Sequence, residues 1–143
     1  MSRKSARIAA VIEQFQGQDL DPHYLGYIEL FNQELFYEAH DVLEELWLDQ
    51  RNTPEGDFSK GLIQLAGAFV HLQKNRLRPA AALFKLARNN LVRYPELHQR
   101  VDVEAVLLMI QHWLQKLEKA DFAANPLTPG SALELRLSVA SSK

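Results

Sequence analysis

The sequence predicts an all-α protein, a compact antiparallel bundle of five or six helices. Two observations carry this expectation. Apolar residues recur at helical spacing through most of the chain, and residues suited to helix caps separate the periodic stretches. Alternation of apolar and polar residues is confined to the C-terminal tail, so β-structure is expected there or nowhere. The chain of 143 residues is long enough for one domain with its own core. With 47% apolar and 24% charged residues it has the balance of a soluble globular protein.

The elements follow in order. Ile8, Val11, Ile12 and Phe15 give residues 5–16 a helical face, and Gly17 suits the closing turn. Asp21-Pro22 reads as an N-cap followed by a first-turn proline, ahead of Leu25, Ile28 and Phe31. A break is expected near Asn32–Glu34, although no glycine or proline marks it. Residues 34–50 form the next helix, with Phe36, Ala39, Leu43, Leu46 and Trp47 on its apolar side. His40 and Glu44 stand at the margin of that side. Glu34, Glu38, Asp41 and Glu45 form an acidic stripe read as facing solvent.

Arg51–Asp57 reads as a loop, with Pro54 and Gly56. Residues 58–74 are apolar nearly all round, which predicts a central helix. Gly61, Gly67 and Ala68 are small enough to admit a neighbouring helix closely. A turn at Asn75–Arg78 leads to a helix starting at Pro79 and ended by Pro95. Asp102 reads as the N-cap of a last long helix, with Asn125-Pro126 as its stop. The tail 127–143 is rich in Ser, Pro and Gly, yet Leu133, Leu135, Leu137 and Val139 alternate. It is expected either to dock in extended form or to stay disordered.

Composition excludes several function classes. There is no cysteine, hence no disulfide, thiolate metal site, iron–sulfur cluster or Cys nucleophile. No long apolar run opens the chain or suits a membrane span, so neither a signal peptide nor a membrane partner is expected, and the expected location is cytoplasmic. The net charge of −2 gives no general attraction to nucleic acid. Charge is nevertheless divided along the chain. Residues 13–57 hold twelve acidic side chains and one basic, and residues 58–95 hold seven basic and no acidic. Such halves suit each other within one bundle or across a homodimer, and the dimer is the expectation. The nucleotide-binding glycine motifs, the nucleophile elbow, His-Glu-x-x-His and paired Glu-x-x-His of di-iron bundles are all absent.

A polar constellation remains. His40 and Glu44 are four residues apart and therefore neighbours on one helix face. Gln64 and His71 stack on one side of the following helix, which a short loop should return antiparallel. Together they can converge on a divalent metal such as Zn²⁺, Mn²⁺ or Fe²⁺, with His40, Glu44 and His71 as ligands. Asp41 or Glu45 would then be candidates for a general base acting on metal-bound water. The same groups can also satisfy one another, His40 with Glu44 and Gln64 with His71, as a structural network. Trp47 borders this pocket but reads, like Trp113, as a core aromatic. His23, His98 and His112 receive no role.

Two runs carry a resemblance. The stretch from Phe31 through His40-Asp41-Val42-Leu43-Glu44-Glu45-Leu46-Trp47, and the stretch from Phe58 through Gln64 to His71, occur in order at suitable separation. They resemble the signatures of the small helical family called domain of unknown function 309, over about residues 25–95. The resemblance implies a compact all-α fold and matches at His40, Glu44, Trp47, Gln64 and His71. Asp41 stands where the family pattern usually has Glu. Gln33-Glu34-Leu35 lacks the glycine that often precedes the aromatic pair. Relatives have carried the label of metal-dependent hydrolase, but the resemblance implies positions rather than an activity. Two classes of function therefore stay open: a helical module acting through self-association or a protein partner, and a metal-dependent hydrolase using His40, Glu44 and His71.

Overall fold

The computed structural model describes residues 6–132 and 134–138. Six helices follow in order: α1 (Ala6–Gln14), α2 (Pro22–Asn32), α3 (Phe36–Gln50), α4 (Gly56–Gln73), α5 (Leu77–Leu91) and α6 (Val103–Lys119). Between α5 and α6 lies a hairpin of two short antiparallel strands, β1 (Leu97–His98) and β2 (Val101–Asp102). The fold is all-α, as the periodicity implies, with that hairpin as an addition.

The caps explain where several helices begin. The Asp21 side chain accepts the backbone N–H of His23 at 2.8 Å, with Pro22 inside the first turn. Asp102 likewise accepts from the backbone N–H of Ala105 at 3.0 Å. Helix ends are less orthodox. Glu34, Asn75 and Asp121 take left-handed φ values of 61°, 58° and 51°. At each, the next residue's N–H reaches back to a carbonyl five residues earlier: Leu35 to Leu30, Arg76 to His71 and Phe122 to Leu117. This is the Schellman closure, made here without glycine. It stops α2 at Asn32 and delays α3 to Phe36. It also ends α6 at Lys119, well before the Asn125-Pro126 stop read from sequence.

Helix α4 is the axis of the bundle. Phe69 on α4 packs against Phe31 of α2, Phe36 of α3, Phe84 of α5 and Trp113 of α6, with ring centroids 4.8–5.6 Å apart. The buried cluster draws on all six helices and on Leu135 of the tail. The small residues of α4 admit α5. A Cβ on Gly61 would stand 2.9 Å from the Leu91 side chain, and one on Gly67 would stand 3.1 Å from Leu83. Rising numbers on one helix meet falling numbers on the other, so the pair is antiparallel. Helix α3 lies on another side of α4, and α2 is joined to α4 by Tyr27, whose hydroxyl donates to the Leu62 carbonyl at 2.6 Å.

The hairpin was not legible as such. Gln99 and Arg100, its two-residue turn, have φ values of 49° and 62°. That is the turn geometry of a tight hairpin, normally signalled by Asn-Gly. Alternation in the tail does correspond to an extended segment over the described residues. Leu135 is buried, Leu137 half-buried, and Glu134, Arg136 and Ser138 point outward. Leu133 and Val139 lie outside the described residues.

Candidate functional site

Helix α3 carries His40, Glu44 and Trp47 along one stripe, at spacings of four and three residues. Helix α4 carries Lys60, Gln64, Gly67 and His71 along a matching stripe. The two stripes run antiparallel and approach each other at His40–Gly67 and at Trp47–Lys60. The His40 ring passes 4.0 Å from the place a Cβ on Gly67 would occupy. At the other end the Lys60 ammonium lies 5.5 Å from the centre of the Trp47 ring, and the Arg51 guanidinium 5.8 Å from it. Absence of a side chain at Gly67 leaves room for the imidazole.

At the His40 end, three side chains converge. His40, Asp41 and Glu44 each offer one ligand atom, and these atoms all lie within 4.8 Å of one another. All three residues are half-buried, so the cluster sits at the edge of the core rather than inside it. His40 Nδ1 and Asp41 Oδ1 are 3.1 Å apart. Adjacent ligands about 2.1 Å from one metal lie about 3.0–3.4 Å from each other, so this separation suits coordination as well as a hydrogen bond. Glu44 makes no hydrogen bond or ion pair among the described residues.

The internal pairings differ from those the sequence suggested. His40 bonds Asp41 rather than Glu44. Gln64 accepts from the Asn90 side chain of α5 at 2.8 Å, and Arg93 in turn donates to Asn90 at 2.7 Å. Gln64 is thus engaged with α5 and not with His71. The reason is geometric: α5 comes closest to α4 where Gly61 and Gly67 permit it, and Gln64 lies between them. His71 is outside the three-residue cluster. It is one helical turn beyond Gly67, half-exposed, with a buried Nδ1 that has no hydrogen-bond partner. Desolvation, with help from the neighbouring charges of Arg76 and Lys74, holds the His71 pKa below its ordinary value. Its ring is therefore held toward the neutral form.

The acidic stripe is not simply solvated. Glu38 accepts from Arg7 of α1 at 2.7 Å, and Glu45 stands 3.3 Å from His23 Nε2 of α2. Asp41 belongs to the His40 cluster. Of the two tryptophans, Trp113 is 3% exposed and lies in the core. Trp47 is half-buried, packs against that core and lies against two cations.

A second polar cluster was missed by sequence reading. His98 Nε2 of β1 lies 2.9 Å from Glu55 Oε1, and Gln99 donates to the same carboxylate at 3.1 Å. The Tyr24 hydroxyl donates to the Gln99 carbonyl at 2.8 Å, and burial raises its pKa. These contacts tie the hairpin to the α3–α4 loop and α2. No motif signals them, because the partners are over forty residues apart.

The profile described as Domain of unknown function (DUF309) matches residues 24–83. Over those residues the chain is similar to that family. The DUF309 match begins in α2, spans α3 and α4 and ends within α5, so it contains His40, Asp41, Glu44, Trp47, Gln64 and His71. The hairpin, α6 and the tail lie outside it. No curated protein and no solved structure matches the chain. Among the described residues no helix is long and apolar enough to cross a membrane.

Proposed function

We propose that this protein is a metal-binding helical module, with a divalent transition-metal ion held by His40, Asp41 and Glu44. The observation that supports the reading is the convergence of one imidazole nitrogen and two carboxylate oxygens within 4.8 Å, on half-buried residues. An imidazole with carboxylates is a donor set suited to Zn²⁺, Mn²⁺ or Fe²⁺. The partner-free carboxylate of Glu44 also fits, since a carboxylate already paired to a cation would be a poorer ligand. In this arrangement Asp41 is a ligand rather than a base, and His71 lies outside the cluster, one helical turn beyond Gly67. An ion held by His40, Asp41 and Glu44 would supply Lewis-acid chemistry.

The test is calorimetric titration of metal-free protein, purified without a histidine tag, with Zn²⁺ and separately with Mn²⁺. One ion per chain is expected. His40→Ala and Glu44→Gln should each weaken binding by more than about tenfold, in line with the loss of a ligand or its support. His71→Ala should act less strongly than either. A parent protein that gives neither heat nor a change in melting temperature with either ion overturns the proposal.

A further inference from the structure

The tail crosses the far side of the molecule as a strap. Asn32, the last residue of α2, clamps both backbone groups of one strap residue. Its side-chain NH₂ donates to the Leu135 carbonyl at 2.8 Å, and its side-chain oxygen accepts the Leu135 N–H at 2.7 Å. An amide side chain here pairs the strap as a neighbouring strand would. The Leu135 side chain fills a hole and is 2% exposed. Beyond it, Leu137 forms an antiparallel bridge with Val101, and the Ser138 N–H donates to the Arg100 carbonyl at 2.8 Å. The strap therefore adds itself to the free edge of β2.

Its surroundings are open. Cavities of about 430, 280 and 440 Å³ flank it, each lined in part by Arg136 together with Leu135 or Leu137. One buried leucine, one amide clamp and one strand bridge hold it in place. Between the clamp and the rest of the chain, Gly130 takes a left-handed φ of 78° and is fastened by an exposed bond from its N–H to Glu34 at 3.0 Å. A glycine turn thus precedes the segment that is extended over the described residues 134–138.

We propose that the groove formed by α2, β2 and α6 is a β-augmentation site, and that its second occupant is the strap of another copy of this chain. Every copy carries the one segment seen to fit, and the edge it occupies is the same whichever chain supplies it. The resident strap competes at an effective concentration on the order of millimolar, so exchange grows with protein concentration. This interface is independent of the metal reading, because none of its residues touches the His40 cluster.

The test uses the absence of cysteine from the chain. Val101→Cys in one preparation and Leu137→Cys in another place single thiols at the two ends of the bridge. Paired residues of an antiparallel ladder have Cα atoms about 4.5–5.5 Å apart, a span that a disulfide fits. After mixing in a thiol–disulfide buffer, a disulfide-linked heterodimer should exceed either homodimer by about tenfold or more. Its yield should rise with protein concentration. An excess of the free peptide Ser-Ala-Leu-Glu-Leu-Arg-Leu-Ser should suppress it. Heterodimer no more abundant than the homodimers, or unaffected by peptide, overturns the proposal. If either substitution unfolds the chain, the unsubstituted protein gives the same decision by native mass. A dimer that grows with concentration and is dissociated by the peptide supports exchange, and a monomer throughout refutes it.

Discussion

His71 shows how much a single side chain can report. Its depressed pKa means that the unfolded chain binds a proton which the folded chain refuses, in the window below the ordinary value of 6.5. The stabilisation is complete above that value and is lost as pH falls through the depressed one. His71→Gln should therefore flatten part of the acid side of the stability profile. Urea unfolding at neutral pH and at pH near 5 measures it, and an equal acid loss in both proteins would contradict the assignment. Asp121 makes a second residue-scale case. It holds a left-handed φ of 51° at the end of α6, exposed to solvent. Asp121→Gly should raise stability by about 0.5–1 kcal/mol, read from a denaturant midpoint. At this scale the sequence was readable for identities and faces. It was not readable for partners: His40 bonds Asp41 and Gln64 bonds Asn90 because rotamers and helix approach decide pairing, and neither is written in spacing.

At the scale of elements, two glycines of α4 should behave differently. A Cβ on Gly61 would meet Leu91 at 2.9 Å and the Asn90 Cβ at 3.2 Å, atoms held by the packed face of α5. Gly61→Ala should destabilise by about 1–3 kcal/mol despite the better helix propensity of alanine. At Gly67 the nearest atom is the Leu83 methyl at 3.1 Å, the far end of a half-buried side chain that can turn aside. Gly67→Ala should be neutral or stabilising by up to about 1 kcal/mol. Thermal melts of the two variants separate them, and a larger loss at Gly67 would contradict this packing. Helix existence was plain from periodicity, and the capped starts at Asp21 and Asp102 were plain from chemistry. Helix ends were not, since Glu34, Asn75 and Asp121 occupy positions where glycine is the usual signal. The hairpin escaped for the same reason: Gln99-Arg100 makes a tight turn without the residues that advertise one.

Across the whole molecule, one hydrophobic core is ringed by two polar regions of different kind. Helix α3 carries the His40 cluster, Glu55 and His98 tie the hairpin to the α3–α4 loop, and the strap runs from Asn32 to β2. Leu135→Ala should cost about 2–3 kcal/mol because it empties a filled hole, while leaving the helical circular dichroism unchanged. A loss near zero would mean the strap does not contribute to the core. The division of charge along the chain is bridged in part among the described residues. Arg93–Asp57 at 3.0 Å joins the two segments, whereas Lys85 pairs with Glu118 of α6 at 3.6 Å. The sequence placed acidic and basic stretches correctly but could not show which of them would meet.

The central claim is that His40, Asp41 and Glu44 hold a divalent metal, and paramagnetic broadening tests it most directly. Substoichiometric Mn²⁺ is added to ¹⁵N-labelled protein and the loss of amide signals is mapped. The account predicts that the amides of residues 40–44 fade first, followed by those around Gly67 on α4, and that His40→Ala removes the effect. Uniform weak broadening, or broadening centred on another part of the chain, would contradict it.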